Sequence, residues 1–378
     1  MMPASVSALT PSLTHARAAA SSLSRSNPRA ARRGRAVVSE SAESSDASNR
    51  DALAMNATSS TGRALTIQSH VVSGYVGNKC AVFPLQLHGF DVDPILSVQF
   101  SNHTGYGSWK GEVMTGDQLW SLVEGLETNG LLKGYTHLLT GYIGSASMLR
   151  TVARLVRKLR QHNPDLVYVC DPVLGDNGKM YVPAPLVGIY RDEIVPLATL
   201  VVPNQFEAEL LTGSPIASED DAIAACAALH AMGPPNVVLT SVDLDVARGG
   251  DGGDAASASA HAHASVITLL GSTITPQEKR CEQRFKITVP RIPSYFTGTG
   301  DLCAALLLAW SDKLPGQLGR AAERAVASLQ GVLRKTAQAQ AEAEAAGKTG
   351  IGCRELRLVQ SVEELTRPTV TEEVQWLE

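Results

Sequence analysis

Between residues 64 and 242, short apolar runs alternate with amphipathic segments. The runs expected to form buried strands are 64–69, 95–100, 137–142, 166–170, 199–202 and 237–241. Helical periodicity lies between several of them, at 118–126, 145–160 and 220–232. A chain that returns to a strand after each helix buries these runs in a parallel or mostly parallel sheet with helices on its faces. The pattern therefore predicts an α/β domain.

The rest of the chain adds less regular elements to this domain. Residues 245–264 are rich in Gly, Asp, Ala and His and predict a low-complexity surface insertion. The runs 266–270 and 285–289 predict two antiparallel strands, and 302–310 and 318–338 predict helices. Alternating apolar residues at 355–360 predict a last strand. We therefore expect a domain over 63–362 and a C-terminal tail over 363–378.

The N-terminal residues have the composition of a targeting segment. Residues 1–39 contain no Asp, Glu or Lys, whereas Ser and Ala are abundant and Arg recurs six times. This composition is typical of an organelle transit peptide, so residues 1–62 are predicted to be a transit peptide and disordered leader, excluded from the fold. High Ser content and weak amphipathic periodicity favour the chloroplast or another plastid. A mitochondrial address and a disordered tail on a cytosolic protein are the alternatives.

Composition excludes several other functions. The net charge is -4, and Lys and Arg are spread along the chain, so no nucleic-acid partner is expected. No apolar run is long enough to cross a bilayer, so no membrane association is expected either. The six cysteines form no Cys-x-x-Cys pair, which argues against a zinc site or a disulfide framework. Cys170 and Cys303 are predicted to be small core residues.

A glycine turn, Gly298-Thr299-Gly300-Asp301, runs directly into an apolar helix. Glycine lets a ligand approach the main chain, and the first amides of the helix have no intrahelical partner. Together with the helix dipole they favour a bound phosphate. Asp301 then stands where a reacting hydroxyl loses its proton, which is the layout of a phosphotransferase. Alternatively, Asp301 only complements the dipole, which is worth about 0.3–1 kcal/mol.

Polar residues lie at the ends of several predicted strands. They are Ser69, Asp171, Asn204, Thr240 and Ser241. Because ligands of open α/β sheets bind at the carboxyl edge, these residues predict a site at that edge. Gly347-Lys348-Thr349 is not a P-loop, since residue 342 is Glu and no strand precedes it. The turn at 298 is not a dinucleotide fingerprint, because Cys303 replaces its third glycine.

Besides the turn at 298–301, the chain carries an ordered set of short motifs: Ser69-His70-Val71, 74–78, 97–106, Thr140-Gly141-Tyr142, 171–176, 203–209 and 356–361. The turn resembles the anion-hole motif of the ribokinase-like superfamily. The other motifs narrow the resemblance to the pyridoxal kinases of that superfamily. The resemblance spans about 65–310 and the C-terminal stretch. It implies a three-layer αβα sandwich whose central sheet is mostly parallel, with some antiparallel strands.

The resemblance also implies an activity and roles for individual residues. The activity is ATP-dependent phosphorylation of the 5′-hydroxymethyl group of pyridoxal, pyridoxine and pyridoxamine, the salvage reaction of vitamin B6. Ser69 and Thr104 match positions that hold ring substituents and the phenolic oxygen, and Tyr142 matches an aromatic against the ring. Asp301 matches the general base. The residues matched to the anion hole are Gly298, Thr299 and Gly300.

A further group of residues matches the nucleotide and cation positions of the family. Those around the ATP phosphates are Asn204, Thr240, Ser241, Thr299 and Gly300. Asp176 and Glu207 resemble carboxylates that bind or organise Mg²⁺ or another divalent cation. Asp171 and Thr240 match positions near an activating K⁺ or Na⁺, and Tyr181 matches a residue on the loop that covers the site. A homodimer is also implied.

Two departures from the family pattern leave alternatives open. Val202 replaces the Thr common two residues before the Asn, so a side-chain oxygen is lost there, and Thr297 replaces the usual Val. The insertion at 245–264 is atypical. Another kinase of the superfamily, acting on hydroxymethylpyrimidine, is the nearest alternative. A catalytically silent protein that binds B6 vitamers or nucleotides is the other.

Because a helix N-terminus favours the ionised form of a carboxylate, Asp301 is expected to be a weak base.

Overall fold

The computed structural model describes residues 62–243, 266–275 and 280–378. The predicted leader, except for Gly62, and the insertion at 245–264 lie outside the described residues. Within the described part of the chain, no helix is long and apolar enough to cross a bilayer.

Ten strands form one sheet in the order β12-β11-β10-β9-β8-β5-β4-β1-β2-β3. Two short strands, β6 and β7, pair separately. The strands are β1 (Arg63–Val71), β2 (Asp91–Phe100), β3 (Gly111–Val113), β4 (His137–Thr140), β5 (Val167–Cys170), β6 (Gly175–Asp176), β7 (Lys179–Met180), β8 (Leu200–Val201), β9 (Asn236–Val242), β10 (Val266–Thr275), β11 (Arg280–Pro290) and β12 (Gln375–Leu377).

The centre of the sheet is parallel and its two edges are antiparallel. β1 pairs in parallel with β2 and β4, and the parallel ladder continues through β5 and β8 to β9. β10, β11 and β12 extend one edge with antiparallel pairs, and β3 ends the other in the same way. The predicted mostly parallel sheet with some antiparallel strands is confirmed.

Helices cover both faces of the sheet. They are α1 (Asn78–Leu87), α2 (Gly116–Thr128), α3 (Ala146–His162), α4 (Pro185–Ile189), α5 (Gln205–Thr212), α6 (Glu219–Met232), α7 (Thr299–Lys313), α8 (Leu318–Ala345) and α9 (Val362–Thr366). One apolar cluster joins the sheet to α2, α3, α5 and α6, through residues such as Leu119 and Val152. A second joins it to α1, α7 and α8, through residues such as Leu85 and Leu306. The three-layer αβα architecture follows from these two cores.

The starts of the helices differ in a way that matters for function. Thr115 caps α2, Ser145 caps α3 and Ser218 caps α6, each by accepting a hydrogen bond from a first-turn amide. Helix α7 is different, because Gly298 precedes it and no side chain caps it. Its first amides therefore keep their capacity to donate to a ligand.

The strand predicted at 355–360 is wrong. These residues run irregularly into a 3₁₀ turn, Val359–Ser361, and only β12 pairs with the antiparallel edge after α8. The alternation has another cause, because Leu356 and Leu358 are buried in the core beside α8. The N–H of Arg357 donates to Oγ1 of Thr336 on α8, not to a neighbouring strand. Apolar alternation reports which residues are buried, and here the partner surface is a helix.

Candidate active site

The glycine turn before α7 has the backbone that the sequence requires. Gly298 has φ 77° and ψ 9°, in the left-handed region that favours glycine. A Cβ atom on it would lie 2.5 Å from the Tyr75 carbonyl oxygen and 2.8 Å from Sγ of Cys80. Conformation and space therefore both demand glycine here. Gly300 is exposed, so the start of α7 is open to a ligand.

Asp301, in the first turn of α7, is held by a second glycine turn. The N–H of Gly77 donates to Oδ2 of Asp301 at 2.7 Å. Gly77 has φ 55°, and a Cβ on it would overlap the carbonyl oxygen of Ser69. Burial raises the pKa of Asp301, and the Gly77 hydrogen bond offsets only part of that rise. The expectation of a weak base is corrected, because desolvation outweighs the stabilisation of the charged form.

Asp171 and Glu207 form a buried acidic pair near Asp301. Asp171 follows β5 and is 6% exposed, and Glu207 on α5 is 3% exposed. Burial raises the pKa of Asp171 well above its ordinary value, and the charges of Glu207 and Asp301 raise it further. A Cβ on Gly300 would lie 3.8 Å from Oδ2 of Asp171, so this carboxylate lies beside the anion turn. A cation bound there would relieve the repulsion.

Asn204 and Glu207 cap α5 reciprocally. The N–H of Asn204 donates to Oε2 of Glu207 at 2.9 Å, and the N–H of Glu207 donates to Oδ1 of Asn204 at 2.9 Å. Glu207 also accepts the N–H of Leu174 at 3.0 Å, and Nδ2 of Asn204 donates to the Gly175 carbonyl at 2.8 Å. Burial raises the pKa of Glu207 to about 8, against the lowering effect of these backbone donors. The pair ties 174–175 to the start of α5.

The predicted metal-binding residues do not form a compact ligand set. Among the described residues, no three His, Cys, Asp or Glu side chains form a group that could hold a metal ion. The carboxylate of Asp176 accepts from Asn177, and Oγ1 of Thr240 donates to the Pro203 carbonyl at 3.4 Å. A site of one or two carboxylates completed by phosphate oxygens remains compatible with this arrangement, since Mg²⁺ is commonly bound in that way.

Thr240 and Ser241 lie near the carboxyl end of β9, next to Asn204. The N–H of Thr240 also donates to the Pro203 carbonyl, at 2.9 Å, which fixes β9 against the segment before α5. Both side chains are half-buried. Val202, on the same segment, is 2% exposed and packs in the apolar core, so it offers no side-chain oxygen.

The predicted vitamin-binding residues lie on three different segments. Ser69 is half-buried near the end of β1, against Gly77. Tyr142 follows β4, and its carbonyl accepts the hydroxyl of Ser97 at 2.6 Å; burial raises the pKa of its phenol. Thr104 is exposed on the loop 101–110. The preceding residue, His103, places Nε2 3.4 Å from Oγ1 of Thr297, which brings this loop to the anion turn.

Tyr181 lies on the stretch after β7 and is 48% exposed. Its N–H donates to the Leu174 carbonyl at 2.8 Å. Burial and the nearby charge of Asp176 raise the pKa of its phenol to about 12. An exposed tyrosine anchored through its backbone fits a position at the mouth of the site.

Two residues that support the site were given no role from the sequence, although Gly77 lies in the motif 74–78. Gly77 binds Asp301, and its signal was the spacing of Gly74 and Gly77 in one turn. Glu355 contacts the Tyr75 amide, and nothing in its neighbourhood distinguished it from any residue of an alternating segment.

An uncapped helix start behind a left-handed glycine, with a half-buried carboxylate in its first turn, is an arrangement suited to binding a phosphate beside a base. Further carboxylates at the same sheet edge are suited to binding the cations that accompany a nucleotide. The fold and site therefore define an α/β phosphotransferase of the ribokinase-like kind.

Comparison with known proteins narrows this class. Residues 134–346 match the family model for phosphomethylpyrimidine kinase. The chain is 54% identical to the pyridoxal kinase of Arabidopsis thaliana over 82% of this chain and 94% of that protein. It is 44% identical to the human pyridoxal kinase over 82% and 96%. The structure of the Leishmania donovani pyridoxal kinase in complex with ADP has a TM-score of 0.73 and 34% identity, covering 84% of this chain and 99% of that one. The chain belongs to the pyridoxal kinase family.

Proposed function

We propose that this protein catalyses ATP-dependent phosphorylation of the 5′-hydroxymethyl group of pyridoxal, pyridoxine and pyridoxamine. The observation that carries the proposal is the contact between Gly77 and Asp301, which holds a half-buried carboxylate beside the open anion turn. The high identity to pyridoxal kinases supports the choice of substrate. The Leishmania donovani pyridoxal kinase, whose structures are in complex with ADP and pyridoxamine and with ADP and pyridoxine, supports the same pair of ligands.

In the reaction, the substrate hydroxyl oxygen forms a bond to the γ-phosphorus, and the bond from that phosphorus to the ADP oxygen breaks. Asp301 accepts the hydroxyl proton. The amides of Gly298, Thr299 and Gly300 stabilise charge on the transferring group. In comparable oxyanion holes, loss of one donor costs about a hundred- to a thousandfold in rate. Because phosphoryl transfer requires little covalent chemistry from the protein, this positioning carries most of the catalysis.

The nucleotide phosphates are assigned to Asn204, Thr240 and Ser241 together with the start of α7, under the cover of Tyr181. Asp176 and Glu207 suit a divalent cation, which neutralises phosphate charge when bound. Asp171 and Thr240 suit a monovalent cation. The raised pKa of Asp171, caused by burial and by the charges of Glu207 and Asp301, supports a bound positive charge in this region.

The decisive substrate experiment uses purified protein with Mg-ATP and each candidate acceptor. We expect phosphorylation of pyridoxal, detected by the absorbance of pyridoxal phosphate. Because the family model over 134–346 is named for phosphomethylpyrimidine kinase, a pyrimidine is the second candidate class of acceptor, and hydroxymethylpyrimidine is the one to assay. A strong preference for the pyrimidine would contradict the proposal. Binding of pyridoxal without any product would instead identify a silent vitamer-binding protein.

The role of Asp301 is tested by two variants. Asp301→Ala removes the base, and we expect kcat to fall at least about a hundredfold, the usual size of a general-base contribution, with pyridoxal affinity nearly unchanged. Asp301→Asn is the matched variant, because its amide oxygen can still accept the Gly77 N–H while it cannot take a proton. An equal kcat in Asp301→Asn and the wild type, or losses explained by a lower melting temperature, would show that Asp301 only supports the helix.

We also propose import into a plastid and assembly as a homodimer. The composition of 1–39 supports the address, and mass spectrometry of the mature N-terminus from isolated organelles tests it. Recovery of the uncleaved chain from the cytosol would contradict it. Sedimentation of the purified domain tests the dimer, which a single species of monomer mass would exclude.

A further inference from the structure

One buried carboxylate that has no role in the proposed reaction collects hydrogen bonds from two loops. Glu355 is 7% exposed and follows the 3₁₀ turn Ile351–Arg354. Its Oε2 accepts the N–H of Tyr75 at 2.8 Å, and its Oε1 accepts the hydroxyl of Tyr106 at 3.0 Å. Nε2 of His103 lies 3.2 Å from the same Oε1. These donors come from the loops 72–77 and 101–110, which are far from Glu355 along the chain.

The tautomer of His103 follows from its other nitrogen. The N–H of Gly105 donates to Nδ1 of His103 at 3.1 Å, so Nδ1 is an acceptor and carries no proton. The ring proton is then on Nε2, which donates toward Oε1 of Glu355. An ionised carboxylate suits these three donors, because it offers only acceptor sites. Hydrogen bonds to a charged acceptor are also stronger than those between neutral groups.

The loop 72–77 connects Glu355 to the catalytic turn. Tyr75 donates its amide to Glu355, while its carbonyl oxygen packs against Gly298, and Gly77 in the same loop donates to Asp301. Gly74, with φ 97°, permits the close approach, since a Cβ there would lie 2.5 Å from Oε1 of Glu355. Glu355 therefore helps to fix the position of this loop, and with it the position of Gly77 relative to Asp301.

The loop 101–110 connects Glu355 to the expected vitamin site. His103 and Tyr106 flank Thr104, the residue matched to the vitamin substituents. The two rings also pack edge to face, with centroids 4.8 Å apart. Fixing both rings on one carboxylate restricts the backbone that carries Thr104.

We propose that Glu355 is a positioning residue for the vitamin side of the active site, aligning Thr104 with Asp301 by holding the loops that carry or contact them. This role rests on the proposed kinase function. The hydrogen bonds of Glu355 described above involve neither of the nucleotide-binding segments 202–207 and 240–241. Glu355 therefore acts mainly on pyridoxal, because it reaches the ATP phosphates only indirectly, through the contacts of Tyr75 and His103 with the anion turn.

The test uses Glu355→Gln, which keeps the shape of the side chain but replaces one acceptor oxygen by an NH₂ group that can only donate hydrogen bonds. We expect the KM for pyridoxal to rise by about tenfold or more, as when a group that holds one substrate is lost, with a clearly smaller change in the KM for ATP. The matched control is Glu323→Gln. Glu323 is also a buried carboxylate, 6% exposed, and its Oε1 accepts the Val374 N–H and an Arg320 N–H, each at 2.9 Å, so its hydrogen bonds involve neither the loop 72–77 nor the loop 101–110. We expect Glu323→Gln to lower the melting temperature and to leave both KM values unchanged.

A second variant makes the result independent of stability. Tyr106→Phe removes one donor to Glu355 and should raise the pyridoxal KM in the wild-type background but not in Glu355→Gln, since the two groups act through one contact. Additive effects would contradict the shared role. Equal rises in the KM for both substrates, or no rise for either, would overturn the proposal.

Equilibrium binding of pyridoxal without ATP separates this inference from the proposed activity. If the wild type makes no pyridoxal phosphate but binds pyridoxal, and Glu355→Gln weakens that binding, the kinase function fails and the positioning role stands. If the wild type phosphorylates pyridoxal and Glu355→Gln binds it equally well, the positioning role fails alone.

Discussion

Replacing Gly298 by alanine tests whether the backbone of one residue controls phosphoryl transfer. Any L-residue at φ 77° is strained, and the left-handed conformation costs about 1–2 kcal/mol. The added Cβ would also meet the Tyr75 carbonyl oxygen at 2.5 Å and Sγ of Cys80 at 2.8 Å, closer than packed atoms allow. The turn must therefore move, and the amides of Thr299 and Gly300 move with it.

Gly213 supplies a control with almost the same backbone. It ends α5 with φ 73° and ψ 12°, and a Cβ on it would meet nothing within 4 Å. Gly213→Ala should therefore show the conformational cost alone, about 1–2 kcal/mol of unfolding free energy. Gly298→Ala should lose more, because it adds the steric cost.

The two variants should differ sharply in activity. If Gly298→Ala misplaces even one donor of the anion turn, kcat falls by about a hundred- to a thousandfold, equivalent to about 2.7–4 kcal/mol. Gly213→Ala should keep the wild-type kcat. The assays are urea unfolding and steady-state formation of pyridoxal phosphate. If Gly298→Ala retained the kcat of Gly213→Ala while losing stability, the turn would not be the phosphoryl site, and the reasoning would be refuted.

Two further predictions concern the buried carboxylates. Asp171→Asn should increase the free energy of unfolding at pH 8 by on the order of 1 kcal/mol, a common size for a stabilising substitution, while lowering activity. Because the pKa of Asp171 is higher in the folded state than in the unfolded state, the stability of the wild type falls as pH rises from the unfolded pKa through the folded pKa. The stability gain of Asp171→Asn should therefore vanish at low pH, where Asp171 is protonated in both states. KCl should stabilise the wild type, relative to tetramethylammonium chloride at equal ionic strength, and not Asp171→Asn; equal responses would exclude a cation at this residue. Because burial raises the pKa of Asp301 and the base must be ionised, kcat should fall as pH drops through a pKa above the ordinary aspartate value, and a kcat constant down to that ordinary value would contradict the role of Asp301.

Local sequence patterns predicted a helix or strand well where its periodic apolar side chains are buried in the way that this type of secondary structure requires. The strands at 64–69 and 166–170 and the helix at 145–160 are present with slightly different ends. The stretch 355–360 failed because its apolar alternation is satisfied against α8, and periodicity does not identify the surface that buries a residue. The paired strand β12 was missed because Gln375–Leu377 is too short to show a pattern.

The residues of the candidate site also divide into those that the sequence identified and those that it did not. Gly298 and Asp301 were identified from sequence because an anion turn is local, with the glycine, the free amides and the carboxylate within four residues. The placement of Asp171, Asn204 and Thr240 at one sheet edge followed from the parallel order of the strands.

The sequence alone thus determined the layered α/β fold and the local glycine turn before α7, because both depend on backbone conformation and short-range periodicity. Only the tertiary structure decided the properties that arise between distant segments. The pKa of Asp301 is raised because burial outweighs the hydrogen bond from Gly77. Gly77 reaches Asp301 across 224 residues, and Glu355 reaches Tyr75 across 280. Desolvation and long-range hydrogen bonds depend on what surrounds a residue in space, and local patterns in the sequence do not contain that information.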